Sequence, residues 1–184
     1  MKGLWASMWV ILLLSCGLAL GSPAIPAMTQ PVMDEAGLLS EQTRQYLIAE
    51  LRRLHDTGGS QIAVLIVPSL EGDEIEPFSI KVTDQWKLGT ATKDNGVLLT
   101  LAVKERKLRI EVGQGNEGVL TDIQSSRIIR ERITPLLKSG DFDSGIISGI
   151  VSIASLTDPD FVFTQGEGQR QVRSDRSRGK QNAL

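Results

Sequence analysis

The sequence contains almost no cysteine or histidine, and this scarcity excludes several kinds of chemistry. Its one cysteine is Cys16, in an apolar N-terminal stretch, and its one histidine is His55. A single cysteine forms no intramolecular disulfide and cannot supply the paired thiolates of a structural zinc site. A Ser–His–Asp triad would have to use His55, which lies among charges near a predicted helix end. We therefore expect neither a disulfide scaffold nor catalysis by a thiol or a triad.

An excess of basic charge is also missing. The formal net charge is −2 at pH 7 and the pI is about 5.5, whereas binding to a nucleic-acid duplex requires a basic face. We therefore expect no nucleic-acid partner. From Gln165 the chain becomes polar and basic. We predict that residues 161–184 form a disordered tail, which is solvated or touches anionic lipid or a partner.

The longest apolar run is at the N-terminus. Residues 1–21 begin with the basic Lys2 and continue through WVILLLSCGLAL, a pattern typical of a secretory signal peptide and short for a membrane span. We predict cleavage before Ser22, with cleavage after Ala24 or Ala27 as alternatives. An uncleaved leader or a lipid on Cys16 would provide the only membrane contact. The predicted location is the periplasm or the extracellular space.

Hydrophobic periodicity predicts one α/β domain over residues 32–160, after a Pro-rich linker at residues 22–31. The predicted helices cover residues 38–57 and 74–88, a stretch that follows Thr121, and residues 141–156. Pro135 should kink or end the third of these helices. The predicted strands cover residues 61–68, 96–103 and 108–112, and the last two form a hairpin. This order predicts a three-layer, Rossmann-like sandwich, in which about four helices flank a small mixed sheet.

The loop IEVGQGNEGVLTD contains Gly113, Gly115 and Gly118 at the G-x-G-x-x-G spacing of dinucleotide-binding sites. Such a site needs a parallel strand–helix–strand unit, whereas the strand before this loop closes a hairpin. A carboxylate at Glu117 would also repel a pyrophosphate held at the start of the next helix. We therefore expect no nucleotide, and we interpret the glycines as residues that adopt φ values other residues disfavour.

Acidic and amide side chains surround this glycine loop. The start of one hairpin strand lies beside the end of the other, so Asp94 and Asn95 should approach Glu117 and the nearby Asp122. Their oxygens are the hard ligands that Ca²⁺ or Mg²⁺ takes, and like charges held so close favour a cation between them. Each residue also has an ordinary structural role, in a turn, at a helix start or in water. The sequence nevertheless predicts a divalent-cation site here.

Five segments resemble the TPM domain family of exported bacterial and thylakoid-lumen proteins, over Val32 to about Ile153. In chain order they are VMDEAGLLS, the buried QIAVLIV, QWKLG, the stretch DNGVLLTLAVKERKLRIEVGQGNEGVLTD, and GDFDSG. The resemblance implies a Rossmann-like sandwich without a nucleotide loop. It also implies divalent-cation binding, which some members show. Some lumenal relatives are credited with acid phosphatase activity and photosystem repair.

By position, the resemblance adds Asp34 of the opening motif to the predicted ligands Asp94, Asn95, Glu117 and Asp122. Two positions depart from the family pattern, because this sequence has methionine at position 33 where asparagine is common and glutamine at 114 where an aromatic residue is common. The second membrane span and Gly-rich tail of many bacterial members are also missing here. A membrane-tethered role therefore does not carry over from them.

Two functions fit these observations. The first is a cation-binding interaction or assembly module with a protein partner in the cell envelope. The second is a metal-dependent acid phosphatase, for which Lys93 is the only basic residue close to the acidic loops. The segment DFDSG, starting at Asp141, is similar to an aspartyl-phosphate motif, but it follows a helical pattern and is better interpreted as a helix N-cap.

The leader gives a direct test of export. We expect the intact mass of the protein recovered from the periplasm to correspond to a chain that starts between Ser22 and Met28. A mass that retains residues 1–15, or one that carries diacylglycerol on Cys16, would contradict simple cleavage.

Overall fold

The computed structural model describes residues 23–164. The predicted signal peptide and most of the predicted tail lie outside these residues. The elements, in chain order, are β1 (Val32–Asp34), α1 (Glu41–Asp56), β2 (Gln61–Val67), α2 (Ile75–Trp86), β3 (Gly96–Ala102), β4 (Lys107–Val112), α3 (Asp122–Ile128), a π-helical segment (Ile129–Ile133), α4 (Thr134–Lys138) and α5 (Phe142–Thr157). None of these helices combines the length and apolar content that crossing a membrane requires.

The four strands form one mixed sheet in the order β1-β2-β3-β4. Strands β1, β2 and β3 are parallel, and β4 is antiparallel to β3. The α/β class, the mixed sheet and the β3–β4 hairpin are as the sequence predicts. Strand β1 was not predicted, because a strand of three residues is too short to show a periodic pattern.

Alternate residues of β2 divide the core between the two faces of the sheet. Ile62, Val64 and Ile66 pack with α1, α3 and α5, whereas Ala63 and Leu65 pack with α2 on the other face. Helix α1 connects β1 to β2, and α2 connects β2 to β3. Both connections lead to the next strand in the same direction across the sheet, but the two helices lie on opposite faces, so the crossovers have opposite handedness. One is left-handed, an exception to the usual rule.

Pro135 does not end the third helix. The chain first widens into the π-helical segment, where the Thr134 N–H donates to the Ile129 carbonyl five residues back, and then continues as α4 to Lys138. Proline lacks the N–H that an α-helix would use, so a widened turn immediately before it carries the helix past the ring.

The Pro-rich segment before β1 packs against the domain. The indole Nε1 of Trp86 donates to the Pro26 carbonyl at 2.8 Å, and Gln85 donates to the Ile25 carbonyl. Ile25 and Met28 contact the core on the α2 face. The sequence predicts that the domain starts at Val32, but the packed region begins before that residue.

Residues 158–164, here called the C-terminal strap, lie along α1. Both the backbone N–H and the hydroxyl of Thr164 donate to the carboxylate of Glu50. Arg53 donates to the Val162 carbonyl, and its guanidinium lies 4.2 Å from the centroid of the Phe161 ring. Residues 161–164 are thus ordered against α1, although the sequence assigned them to the tail.

Glu50 is the buried anchor of the strap, with 4% of its surface exposed. Burial alone would raise its pKa, but the hydrogen bonds from Thr164 and Arg53 outweigh burial, so the pKa of Glu50 lies below its ordinary value. A carboxyl group whose pKa is lower in the folded state stabilises the protein at pH above its unfolded pKa. That stabilisation is lost as the pH falls through the folded pKa.

We expect Glu50→Gln to lower the free energy of unfolding by about 1–3 kcal/mol at neutral pH, because it removes the charge from these hydrogen bonds. The difference from the parent should shrink as the pH falls below about 4.5, the ordinary pKa of glutamate. Urea unfolding at a series of pH values measures it. Asp84→Asn, at an exposed position on α2, is the control and should change stability little. A Glu50→Gln effect that does not vary with pH would contradict this role.

Candidate functional site

The acidic loops meet at the amino ends of β2 and β3, as the hairpin predicts. Residues 93–95 and 113–122 are here called the acidic edge. The Gly115 N–H donates to the Asp94 carbonyl at 3.0 Å, and the Gly113 N–H donates to the Gly96 carbonyl at 2.8 Å. The Gln114 N–H donates to Oδ2 of Asp94 at 3.0 Å. The backbone of the glycine loop thus holds Asp94 directly.

The glycines of this loop allow close approach of two backbones. A Cβ atom on Gly115 would lie 1.9 Å from the Lys93 carbonyl oxygen, and one on Gly113 would lie 2.3 Å from that of Asp94. Neither glycine, nor Gly118, has a positive φ. The prediction that they adopt φ values disfavoured by other residues was therefore wrong. The left-handed residue at this edge is Asp94 itself, with φ of 45°.

Asn116 links three loops from a buried position, with 6% of its surface exposed. Its Nδ2 donates to the Asn95 carbonyl and to Oγ of Ser60, each at 3.1 Å. Sequence reasoning missed this residue, because an asparagine in a loop rich in glycine and acid looks solvated. Asn116 therefore fixes the loop in which the next residue, Glu117, is predicted to bind a cation.

The side chain of Asn95 is committed to the fold. Asn95 is 8% exposed, its Oδ1 accepts from the Thr90 N–H, and its Nδ2 donates to the Gly59 carbonyl. Both ends of the amide are thus engaged within the fold, each by one hydrogen bond. Ligation of a cation by Asn95 stays a prediction.

Asp34 lies at the opposite end of the parallel strands from the acidic edge. It pairs with Ile66 near the carboxyl end of β2, whereas Gln61 at the amino end pairs with Gly96. The rise of a strand separates these two ends by about 16 Å. The Asp34 carboxylate accepts from the N–H groups of Ala36 and Leu39 ahead of α1. Asp34 therefore does not join the other predicted ligands.

The remaining carboxylates, Asp94, Glu117 and Asp122, are all exposed. Glu117 and Asp122 make no side-chain hydrogen bond or ion pair within residues 23–164, and no three Asp, Glu, His or Cys side chains in that range are grouped closely enough to hold a metal ion. The ammonium of Lys93 donates to the Gly58 carbonyl at 3.2 Å, at this same edge. Among the described residues, the acidic edge thus has one carboxylate held by a hydrogen bond, that of Asp94, and two that are exposed without such a partner.

The other sequence candidates have structural roles. Oδ1 of Asp141 accepts from the Ser144 N–H at 3.1 Å, so the DFDSG segment is a helix N-cap, as predicted. Asp143 accepts from the Ser40 N–H at 2.9 Å and joins the starts of α5 and α1. His55 is exposed near the end of α1.

The close backbone contact predicts different effects of an alanine substitution at two neighbouring glycines. We expect Gly115→Ala to lower the free energy of unfolding by about 2–3 kcal/mol, because its methyl group would overlap the Lys93 carbonyl. Gly118→Ala is the matched control. No atom lies within 4 Å of the Cβ that it adds, so stability should change by no more than about 0.5 kcal/mol. Equal melting temperatures for the two variants would argue against the close-approach role.

Solved structures of other proteins have a similar fold. The N-terminal domain of a protein from P. gingivalis is 35% identical to this chain, with a TM-score of 0.66, and the match covers 71% of this chain and 83% of that one. The N-terminal domain of the cg2496 protein from Corynebacterium glutamicum is 16% identical, with a TM-score of 0.55 and coverage of 78% and 90%. The BA42 protein of Bizionia argentinensis is 19% identical, with a TM-score of 0.53 and coverage of 71% and 88%.

At such low identity, the last two proteins show similarity of fold alone. No curated protein matches this chain. The family model of the TPM domain matches residues 32–156, nearly the whole region between the Pro-rich segment and the C-terminal strap. This match, together with the 35% identical domain, confirms the resemblance found in the sequence: the chain belongs to the TPM domain family.

Proposed function

We propose that this protein is an exported TPM-domain module that binds Ca²⁺ or Mg²⁺ at the acidic edge and engages a protein partner of the cell envelope there. The observation that carries the proposal is the position of Asp94. Its carboxylate is exposed to solvent, while the backbone of the glycine loop holds it in place. A carboxylate with a fixed position and free access to solvent is suited to be the first ligand of a hard cation.

The two oxygens of the Asp94 carboxylate differ. The residue has φ of 45°, a left-handed conformation that aspartate adopts more readily than most residues. Oδ2 accepts a hydrogen bond from Gln114, whereas Oδ1 has no hydrogen-bond donor within residues 23–164. One oxygen is thus anchored and the other is open to an ion.

Glu117 and Asp122 would complete the site by moving. Both side chains are exposed and are not held by hydrogen bonds within the described part of the chain. Three carboxylates around one point repel each other, and a divalent cation removes that repulsion. Ca²⁺ takes about 6–8 oxygen ligands, so water or backbone carbonyls would supply those that the carboxylates do not. Binding would therefore order the loop and the start of α3.

The apolar neighbours of these carboxylates support a protein partner. Val119 is 51% exposed and Ile123 is 76% exposed, and they alternate with Glu117 and Asp122 along the chain. Their exposed apolar surface, beside the acidic side chains, would supply contact area to a protein partner. An ion that orders the acidic side chains would also fix the surface on which Val119 and Ile123 lie.

Metal-dependent acid phosphatase activity is the second candidate. Lys93 favours it, because an ammonium at the acidic edge could hold a phosphoryl oxygen while a bound cation activates water. Its Nζ already donates to the Gly58 carbonyl, and His55, which could act as an acid or a base, lies on α1. The interaction module needs no acid or base and is therefore the simpler proposal.

We expect Ca²⁺ or Mg²⁺ to raise the melting temperature of the parent protein. At 100 times the dissociation constant, binding to the folded state stabilises it by about 2.7 kcal/mol. Asp94→Asn and Glu117→Gln should lose most of this gain without loss of apo stability, because each removes one ligand and one repelling charge. Asp84→Asn, which changes an exposed carboxylate on α2, is the matched control and should respond as the parent does.

The same samples separate the competing functions. Metal that leaves the parent melt unchanged would refute the cation site, and a shift caused by NAD or ATP would refute the exclusion of nucleotides. Phosphate release from p-nitrophenyl phosphate that requires metal and is lost in Lys93→Gln would favour the phosphatase. Metal binding without such turnover would favour the module.

A further inference from the structure

A cavity of about 610 Å³ lies at the carboxyl edge of the sheet, away from the acidic edge. It is bounded by the end of β3, the turn into β4, α4 and the first residue of α5. Its volume is within the range of about 300–1,000 Å³ that is typical of small-molecule sites. Ligands of open α/β sheets also bind most often beyond the carboxyl ends of the parallel strands.

The interior of this cavity is apolar. Its lining includes Leu101 of β3, Leu108 of β4, Leu137 of α4 and Phe142 at the start of α5. No carboxylate lines it, and Thr134 is its only uncharged polar side chain. Such walls favour a hydrocarbon group over a polar one.

Three basic side chains border these apolar walls. They are Lys104 and Arg106 in the β3–β4 turn and Lys138 at the end of α4. All three are exposed, and none has a carboxylate oxygen within 4.0 Å among the described residues. Elsewhere among residues 23–164, six basic side chains are paired with carboxylates, at Arg44, Arg53, Lys81, Lys107, Arg109 and Arg130. Five others, at Arg52, Lys87, Lys93, Arg127 and Arg132, have no ion pair there and do not line the cavity. The cavity thus brings three unpaired basic side chains together.

Arg106 occupies a position that favours glycine. Its N–H donates to the Val103 carbonyl and closes the turn, and its φ of 54° is in the left-handed region. Glycine or asparagine is usual at such a position in a hairpin turn. An arginine there is disfavoured for folding, and a function for its guanidinium would account for it.

None of the carboxylates near this edge is among the residues that line the cavity. Glu105 lies between Lys104 and Arg106 in sequence, but its Oε1 accepts from the Ser69 hydroxyl outside the cavity lining. The others accept hydrogen bonds from backbone N–H groups at the helix starts; they are Asp34, Asp141 and Asp143. The cavity therefore combines apolar walls with a cationic rim.

We infer that this cavity binds a single-chain amphipathic anion, namely an alkyl chain that ends in a carboxylate. The chain would lie against the leucines and Phe142, and the carboxylate would meet the guanidinium of Arg106, which matches it in a bidentate geometry. Lys104 and Lys138 would add long-range attraction at the rim. This site lies apart from the acidic edge and does not depend on a cation bound there.

Octanoate is a suitable probe, with octanol as the neutral chain and acetate as the anion without a chain. With chelator present, octanoate should shift the amide NMR signals of residues 104–108 and 137–142 and leave those of residues 113–118 in place. Octanol and acetate should each bind at least about tenfold more weakly than octanoate, because each loses one of the two interactions. Equal binding of octanol or of acetate would overturn the inference.

Arg106→Gly tests the cationic rim without damage to the fold, since glycine suits the positive φ. We expect it to weaken octanoate binding about tenfold, and Lys138→Gln to weaken it less. Lys87→Gly is the matched control. Lys87 is also basic, exposed and left-handed, with φ of 51°, but it lies at the end of α2. Unchanged affinity in Arg106→Gly, or an equal loss in Lys87→Gly, would overturn the inference.

Discussion

The contact between two backbones, at Gly113–Gly115 and at Lys93–Asp94, fixes the acidic edge of this protein. No side chain fits between them, since even a Cβ atom on Gly115 would meet the Lys93 carbonyl oxygen at 1.9 Å. The contact extends the β3–β4 hairpin beyond its last paired residues, Val97 and Val112. It also brings Asn116 onto Ser60 and the Asn95 carbonyl. A motif that resembles a nucleotide loop therefore serves to hold a carboxylate in position.

The amino and carboxyl ends of the parallel strands, here the two edges, differ in chemistry. At the amino ends of β2 and β3 lie the exposed carboxylates, and at the carboxyl end of β3 lie the cavity and its basic rim. Strand β3, with seven residues, separates the two edges by at least about 20 Å. At ordinary ionic strength, charges that far apart in solvent are largely screened from each other. The two proposed sites are therefore independent, and each can be tested without the other.

The fold was predictable where the sequence repeats a pattern over many residues. The buried runs of β2 and β3 and the apolar spacing of α1 and α2 gave the elements within a few residues, and the hairpin placed Asp94 beside the glycine loop. Short or interrupted elements were not predictable. Strand β1 has three residues, and the π-helical segment that passes Pro135 depends on packing in three dimensions.

The candidate site was predictable only in part, because pairing over long range decides what each residue does. Asp34 is acidic and is the last residue of β1, and the parallel pairing of β1 with β2 places it at the opposite end of the strands. Glu50 has the charge of a surface residue, yet Thr164, far along the chain, buries it. Lys104 and Arg106 have the sequence pattern of an ordinary turn. Their relation to the cavity depends on α4, which is formed by residues about thirty positions later.

The most direct test of the central claim is paramagnetic broadening by Mn²⁺, which can take the place of Mg²⁺ at oxygen ligands. If the held carboxylate of Asp94 is the first ligand, small amounts of Mn²⁺ should broaden the amide signals of residues 93–95 and 113–122 first. Signals of residues 34–39, at the opposite edge, should persist. Broadening that begins at Asp34, or that spreads evenly over the protein, would contradict a cation site at the acidic edge.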